Sequence, residues 1–192
     1  MKKHILDRYE RDPDGRVIVD VSASRVEELY EDFDKTAPYH KKDLDDDLAF
    51  YLTECAREIG RAEFVIRFAF DAMPPHELRE RVRTSLHKFF MYQRELEIAS
   101  MKKMLRTSMV FFLLGISLLF LSLWSSSAWL HTLDNLFMRR VLVEGVTIAA
   151  WVSLWESLAT FLVNWRPFRQ KITLNYRIAS AKVLFQDAGS HR

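Results

Sequence analysis

The sequence predicts an α+β membrane protein, a two-helix transmembrane hairpin plus a small cytoplasmic domain with two or three short strands and flanking helices. Three observations lead there. Residues 107–130 contain no ionisable side chain. Residues 141–165 form a second run, apolar apart from Glu144, Glu156 and scattered Ser, Thr and Asn. The whole chain nevertheless carries 28 Lys+Arg and 26 Asp+Glu in 192 residues, far more charge than a fully embedded protein would hold.

A helix of ~20 apolar residues at ~1.5 Å per residue crosses a hydrocarbon core of ~30 Å. Backbone amides in lipid need internal partners, so both runs should be helical. The spans are placed at about 107–128 and 141–165, inside a hairpin of 104–166. The remainder divides into a mobile start at 1–15, a cytoplasmic α/β domain at 16–103, and a C-terminal helix with a third strand at 167–192. A signal peptide does not explain the first run, because it starts more than 100 residues into the chain. A buried soluble hairpin is the plainer alternative.

Charge sets the expected orientation. Arg83, Lys88, Arg94, Lys102, Lys103 and Arg106 precede the first span, and Arg166, Arg169, Lys171, Arg177 and Lys182 follow the second. The connecting loop 131–140 holds only Arg139 and Arg140. The positive-inside rule then puts both termini in the cytoplasm. A net charge of +2 gives no footprint for nucleic acid, and lipid headgroups account for the basic residues beside the spans. Cys55 is the single cysteine, and it falls on the apolar stripe of its helix as a buried structural thiol.

Along the chain, Asp12-Pro13-Asp14-Gly15 marks a turn. Residues 16–21 alternate Val17, Val19 and Val21 against Ile18 and Asp20, as a strand with one wetter face does. Ser24 and Glu27 match a capping box ahead of a short helix bearing Val26, Leu29, Tyr30 and Phe33. Pro38 breaks the chain, and the Asp43–Asp47 segment opens a helix running to about Gly60, its C-cap. Phe64, Ile66, Phe68 and Phe70 share one face of a second strand, parallel to the first across the intervening helix. Pro74 and Pro75 start a long helix with a stripe of Leu78, Val82, Leu86, Phe89 and Phe90. No Pro or Gly interrupts it before Gly115, so it should run on into the first span. Pro167 punctuates the chain after the second span, and Phe168, Ile172, Tyr176 and Ala179 give a further helical stripe. Residues 182–186 are taken as a third strand, with continued helix as the alternative.

Pro38-Tyr39-His40, Asp43-Leu44-Asp45-Asp46-Asp47, Phe89-Phe90-Met91-Tyr92, the stretch from Gly145 to Trp155, and Trp165-Arg166-Pro167 together form a pattern. It resembles a family of uncharacterised prokaryotic two-span membrane proteins with a small cytoplasmic α/β domain. The resemblance covers most of the chain and implies architecture and a prokaryotic cytoplasmic-membrane location, with no activity attached. The chain departs from the family pattern at Trp155-Glu156-Ser157 and at Asn164.

Four groups of polar residues are candidate sites. Glu156 lies nine residues before Trp165, so ~13 Å into the membrane by helical rise. Ionisable residues at such depth default to function, and Ser117 is placed at similar depth as its hydrogen-bond partner. The competing view is a glutamate that simply holds helices together. Arg140 and Glu144 form an outer-face pair at i,i+4 spacing. Asp43, Asp45, Asp46, Asp47 and His40 are candidates for a hard cation, although helix-dipole stabilisation explains the carboxylates equally simply. His76 and His87 are eleven residues apart and poorly spaced as a ligand pair.

No GxSxG, Walker A, GxGxxG, HExxH or CxxC motif is present, so no catalytic residue and no cofactor is assigned. The expected function is that of a self-associating membrane scaffold or partner-docking protein. Its expected partners are the lipid bilayer, further copies of the chain and a cytoplasmic protein. An oligomeric ion channel using Glu156 and a membrane-tethered ligand or metal sensor are the alternatives.

Overall fold

The computed structural model describes residues 6–31, 43–127 and 136–188, with backbone alone at 125–127, 136, 138–140 and 142. The expected break at Pro38 lies outside the described residues. The elements run β1 (Val17–Ala23), a 3-10 turn (Val26–Leu29), α1 (Asp46–Ile59), β2 (Phe64–Phe70), α2 (His76–Ser127), α3 (Leu136–Ala179) and β3 (Lys182–Asp187). They form two compact units. One comprises Met1–Leu96 with Lys171–Arg192, the other Glu97–Gln170.

The first unit is built on a three-stranded sheet in the order β1-β2-β3, with both pairings parallel. Val17 pairs with Phe64 and Val19 with Ile66, while Ile66 pairs with Val183 and Phe68 with Phe185. The strand taken at 182–186 is therefore real, and helix ends before it. Parallel strands need a crossover connection. Between β1 and β2 that connection is the 3-10 turn and α1. Between β2 and β3 it is α2 and α3, so the second unit is inserted within the crossover of the first.

Alternation in the strands points Val17, Val19, Val21, Phe64, Ile66, Phe68, Phe70 and Val183 into one buried cluster. Leu52, Cys55 and Ile59 of α1 join it, with Val82, Leu86 and Phe90 of α2 and Ile178 of α3. Phe68, Phe70 and Phe185 stack with ring centroids 6.0–6.4 Å apart. Ile18 and Val65, on the opposite face, are also buried. From α3 the residues at the core are Leu174, Ile178 and Ala179, whereas Tyr176, on the same helical stripe as Ala179 by sequence spacing, is 51% exposed.

Three further local expectations are corrected. Residues 6–16 fold onto the domain instead of hanging free: Leu6 and Tyr9 pack on the core, and Tyr9 donates to the Glu58 carboxylate at 2.8 Å. The turn is closed by the Gly15 amide on the Asp12 carbonyl, with Gly15 in the left-handed region at φ +81°. The capping box does not form. Arg25 holds the cap position without a side-chain bond, and the Ser24 amide donates to Glu28 rather than Glu27. Pro167 does not end its helix, since α3 continues through it to Ala179. Proline removes the donor that would meet the Val163 carbonyl, and the helix tolerates that loss at this point.

Arg177 ties the end of α1 to α3. Its guanidinium donates to the Gly60 carbonyl and, at 2.6 Å, to that of Ala62, and it lies over the Phe64 ring. Burial lowers its pKa from the ordinary arginine value. His87, likewise, donates from Nδ1 to the Ala179 carbonyl at 2.8 Å.

In the second unit α2 and α3 pack antiparallel along a seam of small residues. Ser157 donates to the Ser108 carbonyl at 2.8 Å, and the hydroxyls of Ser122 and Thr147 meet at 2.7 Å. Gly115 lies between these contacts. A Cβ there would sit 2.7 Å from Leu154 Cγ and 3.1 Å from the Ala150 carbonyl oxygen. Small residues let helix backbones approach this closely.

Candidate functional site

The helix seam decides where each expected polar residue goes. Ser108 opposes Ser157, Gly115 opposes Ala150 and Leu154, and Ser122 opposes Thr147. On that register Glu156 is level with Ser108 and Met109. Ser117 therefore lies about two turns away along the pair, roughly 12 Å. The structure does not bring Glu156 and Ser117 together within one chain. Ser117 donates to its own helix, to the Leu113 carbonyl at 2.7 Å. Glu156 is exposed and accepts from Thr160 one turn on, at 3.4 Å. The neighbouring Ser157 is the residue that reaches α2, and it is buried. Counting depth from the ends of two runs misplaced the pair because it assumed both runs start in one plane.

Glu144 is exposed, and the Arg140 side chain lies outside the described residues, as does all of His40. Gly145, on the same outward side of α3 as Glu156, has open space where a Cβ would point.

Around these residues the hairpin surface is apolar. Phe120, Leu123 and Trp155 are each 70% exposed, and Met109, Leu113, Ile148, Val152 and Leu162 are likewise exposed. Among the described residues two helices are long and apolar enough to cross a membrane, and only 17% and 11% of their most apolar windows is buried.

In the first unit the Asp43–Asp47 acids divide into separate roles. Asp45 caps α1, its carboxylate accepting from the Leu48 amide at 3.0 Å. The Asp46 amide donates to Glu31 at 3.0 Å, and Asp47 is exposed. Glu31, Asp43 and Asp46 line one side of a hollow of about 390 Å³, with Phe89, Tyr92 and Gln93 of α2 opposite. Its acidic and aromatic walls suit a cationic group over an anionic one. Glu31 carries no local sequence signal. It enters because the Glu31 amide donates to the Asp43 carbonyl and Tyr30 bridges Leu44, which brings the two segments side by side. Among the described residues no three of His, Cys, Asp and Glu come together as a ligand set.

Cys55 is buried and free, as its place on the stripe suggested. Two tyrosines flank it. Burial, reinforced by the Glu58 bond and by Cys55, pushes the Tyr9 phenol well above its ordinary range. Burial and Cys55 push Tyr51 up to about 12.

Comparison of the chain with protein families, with curated proteins and with solved structures finds no match.

Proposed function

We propose that this chain is an integral membrane protein whose second unit crosses a prokaryotic cytoplasmic membrane with both termini inside. It self-associates there as a scaffold or docking protein, and its role involves no catalytic step. The observation that carries this is the exposed apolar surface of α2 and α3. Water-soluble monomers rarely expose continuous apolar patches beyond ~300–600 Å². Here Phe120, Leu123, Trp155 and Val163 are each at least 68% exposed on two helices of spanning length. Lipid is the solvent that suits such a surface. Pro167 fits the same picture, since the bereft Val163 carbonyl falls at the end of the span, where water reaches.

Self-association is supported by the outward face of α3, where Gly145 has open space beside it and Glu156 is exposed. Small residues let a further helix approach closely. A two-helix chain offers no partner on that side, so a second copy supplies it, with Glu156 near the cytoplasmic edge of the span. The outward Glu156 also favours a second reading, an oligomeric channel with this carboxyl on the shared axis. Three measurements test these ideas. Extraction of membranes with alkaline carbonate should leave the chain in the pellet, and release into the supernatant overturns the membrane assignment. Mass-resolved light scattering in mild detergent should give a multiple of the 22.7 kDa chain. A monomer removes the scaffold and the channel alike. If Glu156→Gln changes ion flux in liposomes while assembly persists, the channel replaces the scaffold.

A further inference from the structure

The end of the hairpin that bears Lys102, Lys103 and Arg106 on α2 also bears Arg166 and Arg169 on α3. All five are exposed. Across residues 97–110 and 161–170 the one acidic residue is Glu97. At 100° per residue these cations point away from the seam marked by Ser108 and Ser157, toward whatever surrounds the pair. Arg106 immediately precedes the apolar run. Lys103 and Lys102 lie four and five residues before Thr107, where that run begins, ~6–8 Å along the axis. That is the depth of the phosphate layer, which begins where the ~30 Å hydrocarbon core ends and occupies the outer ~5–8 Å of each leaflet. On the register set by Ser108 and Ser157, Arg166 and Arg169 lie ~5–9 Å further out than Lys102, and Arg169 stacks on Trp165, guanidinium to ring centroid 5.5 Å. Stacking turns that guanidinium back along the helix toward Trp165 and the headgroup layer.

We infer that these five residues form a collar that binds anionic phospholipid headgroups of the cytoplasmic leaflet in preference to zwitterionic ones. This rests on the membrane placement proposed above. Four or more cations directly flanking a span attract anionic lipid, each by about fivefold at low salt. Long lysine and arginine stems lie along the apolar surface while their heads reach phosphate.

The test uses the full chain reconstituted in vesicles of equal parts phosphatidylcholine and phosphatidylglycerol. Electron spin resonance of spin-labelled forms of each lipid reports the motionally restricted fraction at the protein surface. Phosphatidylglycerol should be preferred by about threefold or more at low salt, and the preference should collapse near 1 M salt, where screening reaches ~3 Å. Replacing Lys102, Lys103, Arg106, Arg166 and Arg169 by Gln should abolish the preference while the restricted fraction persists. Equal association of the two lipids with the unaltered chain at low salt overturns the collar and leaves the membrane placement standing. Absence of any restricted fraction, with either lipid, overturns both.

Discussion

Phe68 in the first unit and Phe120 in the second are the same side chain in opposite circumstances. Phe68 is 1% exposed beneath a sheet, and Phe120 is 70% exposed on a helix. In the first unit alternating strands and amphipathic helices hide apolar residues from water. In the second the helices hide only a narrow seam of small residues and leave the large ones outside. Under the membrane placement proposed above, the two units are folded for different solvents. One core is assembled by burial from water, the other by close backbone approach and hydroxyl contacts.

Substitutions can break or sharpen that contrast. Phe68→Ala should cost about 3–5 kcal/mol in denaturant unfolding, whereas Phe120→Ala should cost under ~0.5. A large loss at Phe120 would mean that it is covered as a core residue is. Gly115→Ala should weaken the helix pair by about 1–3 kcal/mol, because the new Cβ meets Leu154 and the Ala150 carbonyl. Gly145→Ala, with open space, should leave the pair unchanged. Unfolding in mixed micelles reads both. Ser157→Ala should cost only about 0.6 kcal/mol, the usual worth of a hydroxyl bond between spans.

The smallest effect concerns pH and belongs to the first unit alone. Tyr9 and Tyr51 have folded pKa values raised above the ordinary 10.0. The folded state then binds more protons than the unfolded one above pH 10. The contribution is complete below that pH and is lost as pH rises through the folded values. Thermal melts of the full chain should show the first unit losing stability above pH 10, with Tyr9→Phe reducing the slope. An unchanged slope would remove Tyr9 as its source.

The sequence made the two units unequally legible. Period-two alternation located β1 and β2, and the absence of Pro and Gly after Pro75 foretold the single long helix α2. β3 was a closer choice, because Val183, Leu184 and Phe185 suit a helix or a strand until Phe68 and Phe70 stand beside Phe185. Interactions set by tertiary partners were hidden. Tyr9 finds Glu58 across 49 positions, and Arg177 finds Gly60 across 117. Neither leaves a local pattern. The same holds for the polar sites. Glu156 stands out by type, but which helix face it occupies depends on a seam set by Ser108, Gly115 and Ala150. Glu31 joins Asp43 and Asp46 through a backbone pairing that no spacing reveals.

The central claim, that the apolar surface of α2 and α3 faces lipid, is tested most directly by paired footprinting of the full chain in nanodiscs. A lipid-soluble carbene reagent is set against a water-soluble radical. Phe50 and Phe120 are the decisive pair, 67% and 70% exposed. The carbene should mark Phe120, Trp155 and Leu162, and the radical should mark Phe50 and Tyr92. If the radical marks Phe120 and Trp155 as strongly as Phe50, those helices stand in water and the membrane placement is wrong.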